Sequence, residues 1–177
     1  MSNRAENGWA SPVFTHLHSS AVHEAGHAVL AVVLGRKLQR ISINRDETSD
    51  GSTGRTVDYS SPLKAIEEIA IKLAGGESAG IWYLPTDCDD DCEQIKCILK
   101  LFLMNCDGAL LIHAIQKHVR DEVLLQRAPI AELALALFEK RTMSGDEAAS
   151  LVKTSLCQPS PLGPNLKRLQ PPYTTLH

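Results

Sequence analysis

Aromatic residues are scarce in this chain, at 5% of 177 residues. Core volume must therefore come from Leu, Ile, Val and Ala. Long apolar runs are also missing. The longest, Ala28 to Leu34, falls far short of the ~20 residues a membrane-spanning helix needs. Neither sign of charge is in large excess: 18 basic and 21 acidic residues leave a net −3. With no basic stripe either, nucleic-acid binding is not expected. The N-terminus lacks the pattern of a secretory leader. Five cysteines, an odd number, suit reduced thiols better than a disulfide framework. Cys88, Cys92 and Cys97 cluster, but without the paired two-residue spacing of a zinc ribbon. Free thiols and a cytoplasmic location are the expectation.

Hydrophobic residues make up 44% and charged residues 22%, the balance of an ordinary globular domain. The length allows one domain with a sizeable core. Within it, the most informative segment is His23-Glu24-Ala25-Gly26-His27. On a helix, residues four apart share a face one turn apart. Two imidazoles so placed can bind one zinc ion at about 2.0–2.1 Å each. A carboxylate beside the first can take a proton from water at such a metal. The flanks favour a helix over about 20–34. Ser19 and Ser20 are N-cap candidates, and Gly35 is a natural terminator. The segment is apolar on nearly every side, which implies burial. His23, Glu24 and His27 are then polar groups in a core, costly without partners. A metal would satisfy them together; two core histidines and a salt-bridged glutamate are the plainer alternative.

Before this helix, residues 1–18 read as an irregular segment in which Trp9 and Phe14 are expected to pack back onto the domain. His16 and His18 there read as surface residues. After the helix, Leu38 to Asn44 alternates apolar and polar residues, and a turn-rich stretch leads to Arg55-Thr56-Val57-Asp58-Tyr59. This predicts two short strands. Ser61-Pro62 opens a second helix that Gly75-Gly76 should end, with a further helical stretch over 77–84. Asp87 to Asp91 begins a third. Further helices are predicted over 108–127, from Pro129, and over about 145–156, the last opened by a Ser144/Glu147 capping box. Residues 157–177 read as a proline-rich, disordered tail.

A catalytic zinc takes three protein ligands and leaves one position open. Candidates for the third are Glu77, Asp87, Asp89, Asp90, Asp91, His113 and His118. Spacing does not choose among the aspartates, which could equally be a solvated helix start.

Four blocks, in order across residues 20–155, resemble the peptidase domain of the FtsH-type zinc proteases, the proteolytic half of membrane AAA proteases. They are His23-Glu24-Ala25-Gly26-His27-Ala28, Leu73-Ala74-Gly75-Gly76, Asp90-Asp91-Cys92-Glu93-Gln94, and Ile130 to Val152 with Met143-Ser144-Gly145-Asp146-Glu147. The resemblance implies a mainly α fold with a small β-hairpin or sheet near the active site. It implies Asp91 as third zinc ligand, and a strand around Gly54 to Tyr59 that pairs with substrate. The domain would span 19–156. Departures are the altered segment Glu77-Ser78-Ala79-Gly80-Ile81-Trp82, a shortened stretch before the C-terminal helices, and the lack of a phosphate-binding glycine loop.

The expected function is thus a zinc metalloendopeptidase acting on unstructured peptides or proteins. His23, His27 and Asp91 hold Zn2+, and Glu24 is the base. ATP-driven unfolding would be absent or come from a partner chain, and a homo-oligomer is the family's habit. The competing expectation is a regulatory or adaptor module that keeps the fold without turnover.

Overall fold

A computed structural model describes residues 12–44, 52–82, 84, 89–103, 107–156 and 160–169, with backbone alone for 12–17. Trp9, Asp87, Cys88 and residues 170–177 lie outside that description, as does the side chain of Phe14.

Seven helices and three strands follow one another among the described residues: α1 Pro12–Val33, β1 Leu38–Ser42, β2 Ser52–Arg55, α2 Pro62–Ile81, α3 Asp89–Phe102, α4 Gly108–Leu125, α5 Arg127–Lys140, β3 Thr142–Ser144, α6 Gly145–Ser155 and α7 Leu162–Lys167. The fold is mainly helical with one small antiparallel sheet, in the order β2-β1-β3. Ile41 of β1 pairs with Thr53 on one side and Met143 on the other. No helix among the described residues is long and apolar enough to cross a membrane.

The core forms around α1 and α2, which pack on each other; α1 also contacts α5, and α2 contacts α4. Ala25, Ala28, Val29 and Leu30 of α1 are fully buried, as are Ile66, Ile69, Ala70 and Ile71 of α2. Small residues let the two helices approach closely. A Cβ on Gly26 would run into the Ser78 hydroxyl and stand 2.6 Å from the Ala74 carbonyl oxygen. Three helix starts are capped by side chains. Ser61 accepts from Lys64 N–H at 3.3 Å, Asp107 from Ala109 N–H at 3.0 Å, and Ser144 from Glu147 N–H at 3.2 Å.

Several expected boundaries are corrected. Helix α1 starts at Pro12, not near Ser19, which is buried inside it. Proline is at home in a first helical turn, and nothing in the next two turns breaks the helix. The irregular segment expected over 1–18 therefore gives way from residue 12. Helix α2 runs through Gly75-Gly76 to Ile81. The second strand is Ser52–Arg55 rather than 55–59. Val57 is exposed, and Asp58 accepts from Ser60 N–H at 2.8 Å, a local turn that ends strand geometry. Strand β3 was not expected; three residues are too few to show alternation. Within the supposed tail, α7 buries Leu162 and Leu166, enough apolar contact to order that stretch.

Candidate metal and peptidase site

Helix α1 carries His23, Glu24 and His27 to the seam with α2 and β2. The two imidazoles stand edge to face, 4.5 Å between centroids, as i,i+4 neighbours should. Their Nε2 atoms are 2.9 Å apart. Helix α3 brings Asp91 from its first turn against both, with Oδ2 3.2 Å from His23 Nε2 and 3.0 Å from His27 Nε2. His23, His27 and Asp91 form the single group among the described residues whose ligand atoms converge as a metal site requires.

The surroundings fix how these groups are presented. His27 Nδ1 donates to the Ile71 carbonyl at 2.7 Å. A carbonyl only accepts, so Nδ1 carries a proton and Nε2 is the ring nitrogen that faces the cluster. Lys72 Nζ lies 3.2 Å from Asp91 Oδ1, so each oxygen of Asp91 has a different task. Gly75 leaves room for the rings: a Cβ there would stand 2.6 Å from His27 Nε2 and 2.7 Å from His23 Cε1. This is why α2 continues through a glycine pair that locally reads as a stop. The imidazoles occupy the space that a side chain would need.

Electrostatics follow. Burial disfavours charge on His27, but Asp91, Glu24 and the Ile71 carbonyl outweigh it and raise its pKa. Burial likewise pushes Asp91 up, yet hydrogen bonds from both histidines, with the charges of His27 and Lys72, hold it far below the usual carboxylate range. The site strongly favours an anionic Asp91 facing cationic charge.

The donor set suits a metal. Three ligands at about 2.0–2.1 Å around a tetrahedral zinc stand roughly 3.3 Å from each other. The observed separations of 2.9, 3.2 and 3.0 Å need only a slight opening. Two imidazoles and one carboxylate also leave a fourth position for water.

Glu24 is 7% exposed. Its Oε2 accepts from Thr53 Oγ1 at 2.6 Å, and the same hydroxyl lies 3.2 Å from the Glu24 carbonyl oxygen. Neither Thr53 nor Lys72 has a recognisable motif, so sequence reasoning overlooked both. The other candidate ligands are elsewhere. Asp89, Asp90 and His113 are exposed, and Glu77 accepts from Gln116 Nε2 at 2.6 Å. His118 is half-buried on α4 away from the cluster. His18, expected at the surface, packs its ring 4.2 Å from that of Phe138. Cys92 and Cys97 are exposed thiols outside any disulfide.

No curated protein matches the chain. The model of the Peptidase M50B-like family matches residues 9–84. That span takes in His23, Glu24, His27, Thr53 and Lys72 and ends before Asp91. The M50 and FtsH-type peptidases are different families, so the match does not single out the FtsH type; what it supports is a metallopeptidase-like domain.

Proposed function

We propose that this protein is a zinc-dependent metalloendopeptidase, with His23, His27 and Asp91 holding the metal and Glu24 as general base. The observation that carries the reading is the meeting of two imidazole Nε2 atoms and one carboxylate oxygen within 3.2 Å of one another, next to a buried glutamate on the same helix. The FtsH-type resemblance adds support, since that family too completes two histidines with an aspartate. The peptidase domain spans at least 19–156.

Zinc bound there would supply Lewis acidity, polarising the scissile carbonyl and making nearby water easier to deprotonate. Glu24 takes the proton of the attacking water and delivers it to the leaving amine. Asp91 keeps its negative charge and, through Lys72, its orientation. Strand β2 sits at the sheet's edge, where an extended peptide can add as a further strand by backbone hydrogen bonds. Substrates are accordingly flexible chains, and cleavage by this chain consumes no ATP.

The test is zinc content and hydrolysis of unfolded casein, for wild type and Glu24→Gln. Wild type should hold one zinc and cleave in a chelator-sensitive way. Glu24→Gln should keep the zinc and lose cleavage. Equal hydrolysis by both proteins, or a wild type that takes up no zinc, contradicts the reading.

A further inference from the structure

Glu24 has three rotatable bonds, and an untethered carboxylate of that length samples many orientations. Here one oxygen is held. Thr53 Oγ1 donates to Oε2 at 2.6 Å, a short contact of the kind made to a charged acceptor. Thr53 is itself fixed twice over. Its backbone pairs with Ile41, which is fully buried in the middle strand. Its β-branched side chain is stiff at χ1. The hydroxyl is therefore held by the sheet, and it leaves Oε1 as the oxygen of Glu24 that it does not engage.

We propose that Thr53 is a positioning residue that ties the orientation of Glu24 to strand β2. The strand whose outer edge is offered to substrate then also aims the base. Peptide pairing along β2 and proton transfer by Glu24 are mechanically joined through one side chain. The inference rests on Glu24 being the base.

Two substitutions separate hydroxyl from shape. Thr53→Val keeps the branched volume and removes the donor; Thr53→Ser keeps the donor and removes a methyl. With zinc-loaded enzyme and a flexible peptide, Thr53→Val should lower kcat about ten- to a hundredfold, the usual effect of losing a hydrogen bond to a charged group. KM and zinc affinity by equilibrium dialysis should stay at wild-type values. Thr53→Ser should recover kcat to within about threefold. An unchanged kcat in Thr53→Val overturns the inference, as does equal impairment of both variants or a fall in zinc affinity that tracks kcat. Glu24→Gln runs alongside. If it is inactive while Thr53→Val is fully active, only the Thr53 role fails. If it cleaves like wild type, or wild type shows no zinc-dependent cleavage, the base assignment fails and the Thr53 role with it.

Discussion

Two polar clusters lie along the same seam of helix α2 and strand β2, and they are built on opposite principles. In the first, Arg36 meets Glu67 at 3.2 Å and Asp58 at 3.3 Å, and Arg55 meets Glu68 at 2.6 Å. Every charge faces its opposite. In the second, a turn further along α2, His23, His27 and Asp91 bring three potential ligand atoms to one spot. Glu67 and Glu68 serve the first cluster while Ile71, Lys72 and Gly75 shape the second; Arg55 and Thr53 divide β2 in the same way. The first cluster pairs opposite charges and holds α2 against the strand. The second gathers a donor set that could hold a metal ion. Burial alone therefore does not mark a candidate metal site; the informative sign is a set of ligand atoms that converge on one spot.

The cost of closing the first cluster is visible in Glu68. Burial pushes its carboxyl above the ordinary value, and Arg55, Arg36 and Lys72 only partly pull it back. Its side chain is fully buried. Such ion pairs add little against an apolar replacement of the whole set, but breaking one is expensive.

Substitutions can break the contrast between the clusters. The largest effect is expected for Glu24→Gln: kcat should fall about 10²- to 10⁴-fold, with zinc content and thermal midpoint kept. Glu68→Ala should do the reverse. It strands the buried Arg55 guanidinium and should lose about 3–5 kcal/mol in denaturant unfolding, while the folded fraction binds zinc as wild type does. A parallel loss of zinc affinity would mean that the two clusters are one unit. Gly75→Ala tests the cradle beneath the rings. The added methyl has nowhere to go, so stability should fall by about 1–3 kcal/mol and zinc affinity should fall with it, as measured by competition with a chelating dye. The smallest effect is expected for Lys140→Ala. It breaks the pair with Glu147, both residues being well exposed, and should leave the thermal midpoint unchanged within error.

Much of this arrangement was legible because its signals are local. The helical spacing of His23 and His27, the serine caps at Ser61 and Ser144, and the aspartates opening α3 all act within one turn of chain. What escaped depends on distant partners. Gly75 reads as a helix stop until the imidazoles of α1 are laid over it. Asp91 cannot be told from Asp89 and Asp90 by spacing; it differs by the turn of α3 that faces α1. Thr53 and Lys72 are ordinary residues whose roles come from where the sheet and α2 place them. Helix α7 is ordered by Leu162 and Leu166, two apolar residues in a proline-rich stretch whose composition suggests disorder. Pro12 is a different case. Ser11-Pro12 is the same start signal as Ser61-Pro62, and it was available in the sequence.

The central claim is that one zinc is held by two histidines of α1 and one aspartate of α3. Crystals of the zinc-loaded protein, with anomalous diffraction recorded on both sides of the zinc absorption edge, test it most directly. The account predicts a single strong anomalous peak within coordination distance of His23 Nε2, His27 Nε2 and Asp91 Oδ2, and of no other protein atom. A peak ligated by another carboxylate in place of Asp91, or no peak at this seam, would contradict it.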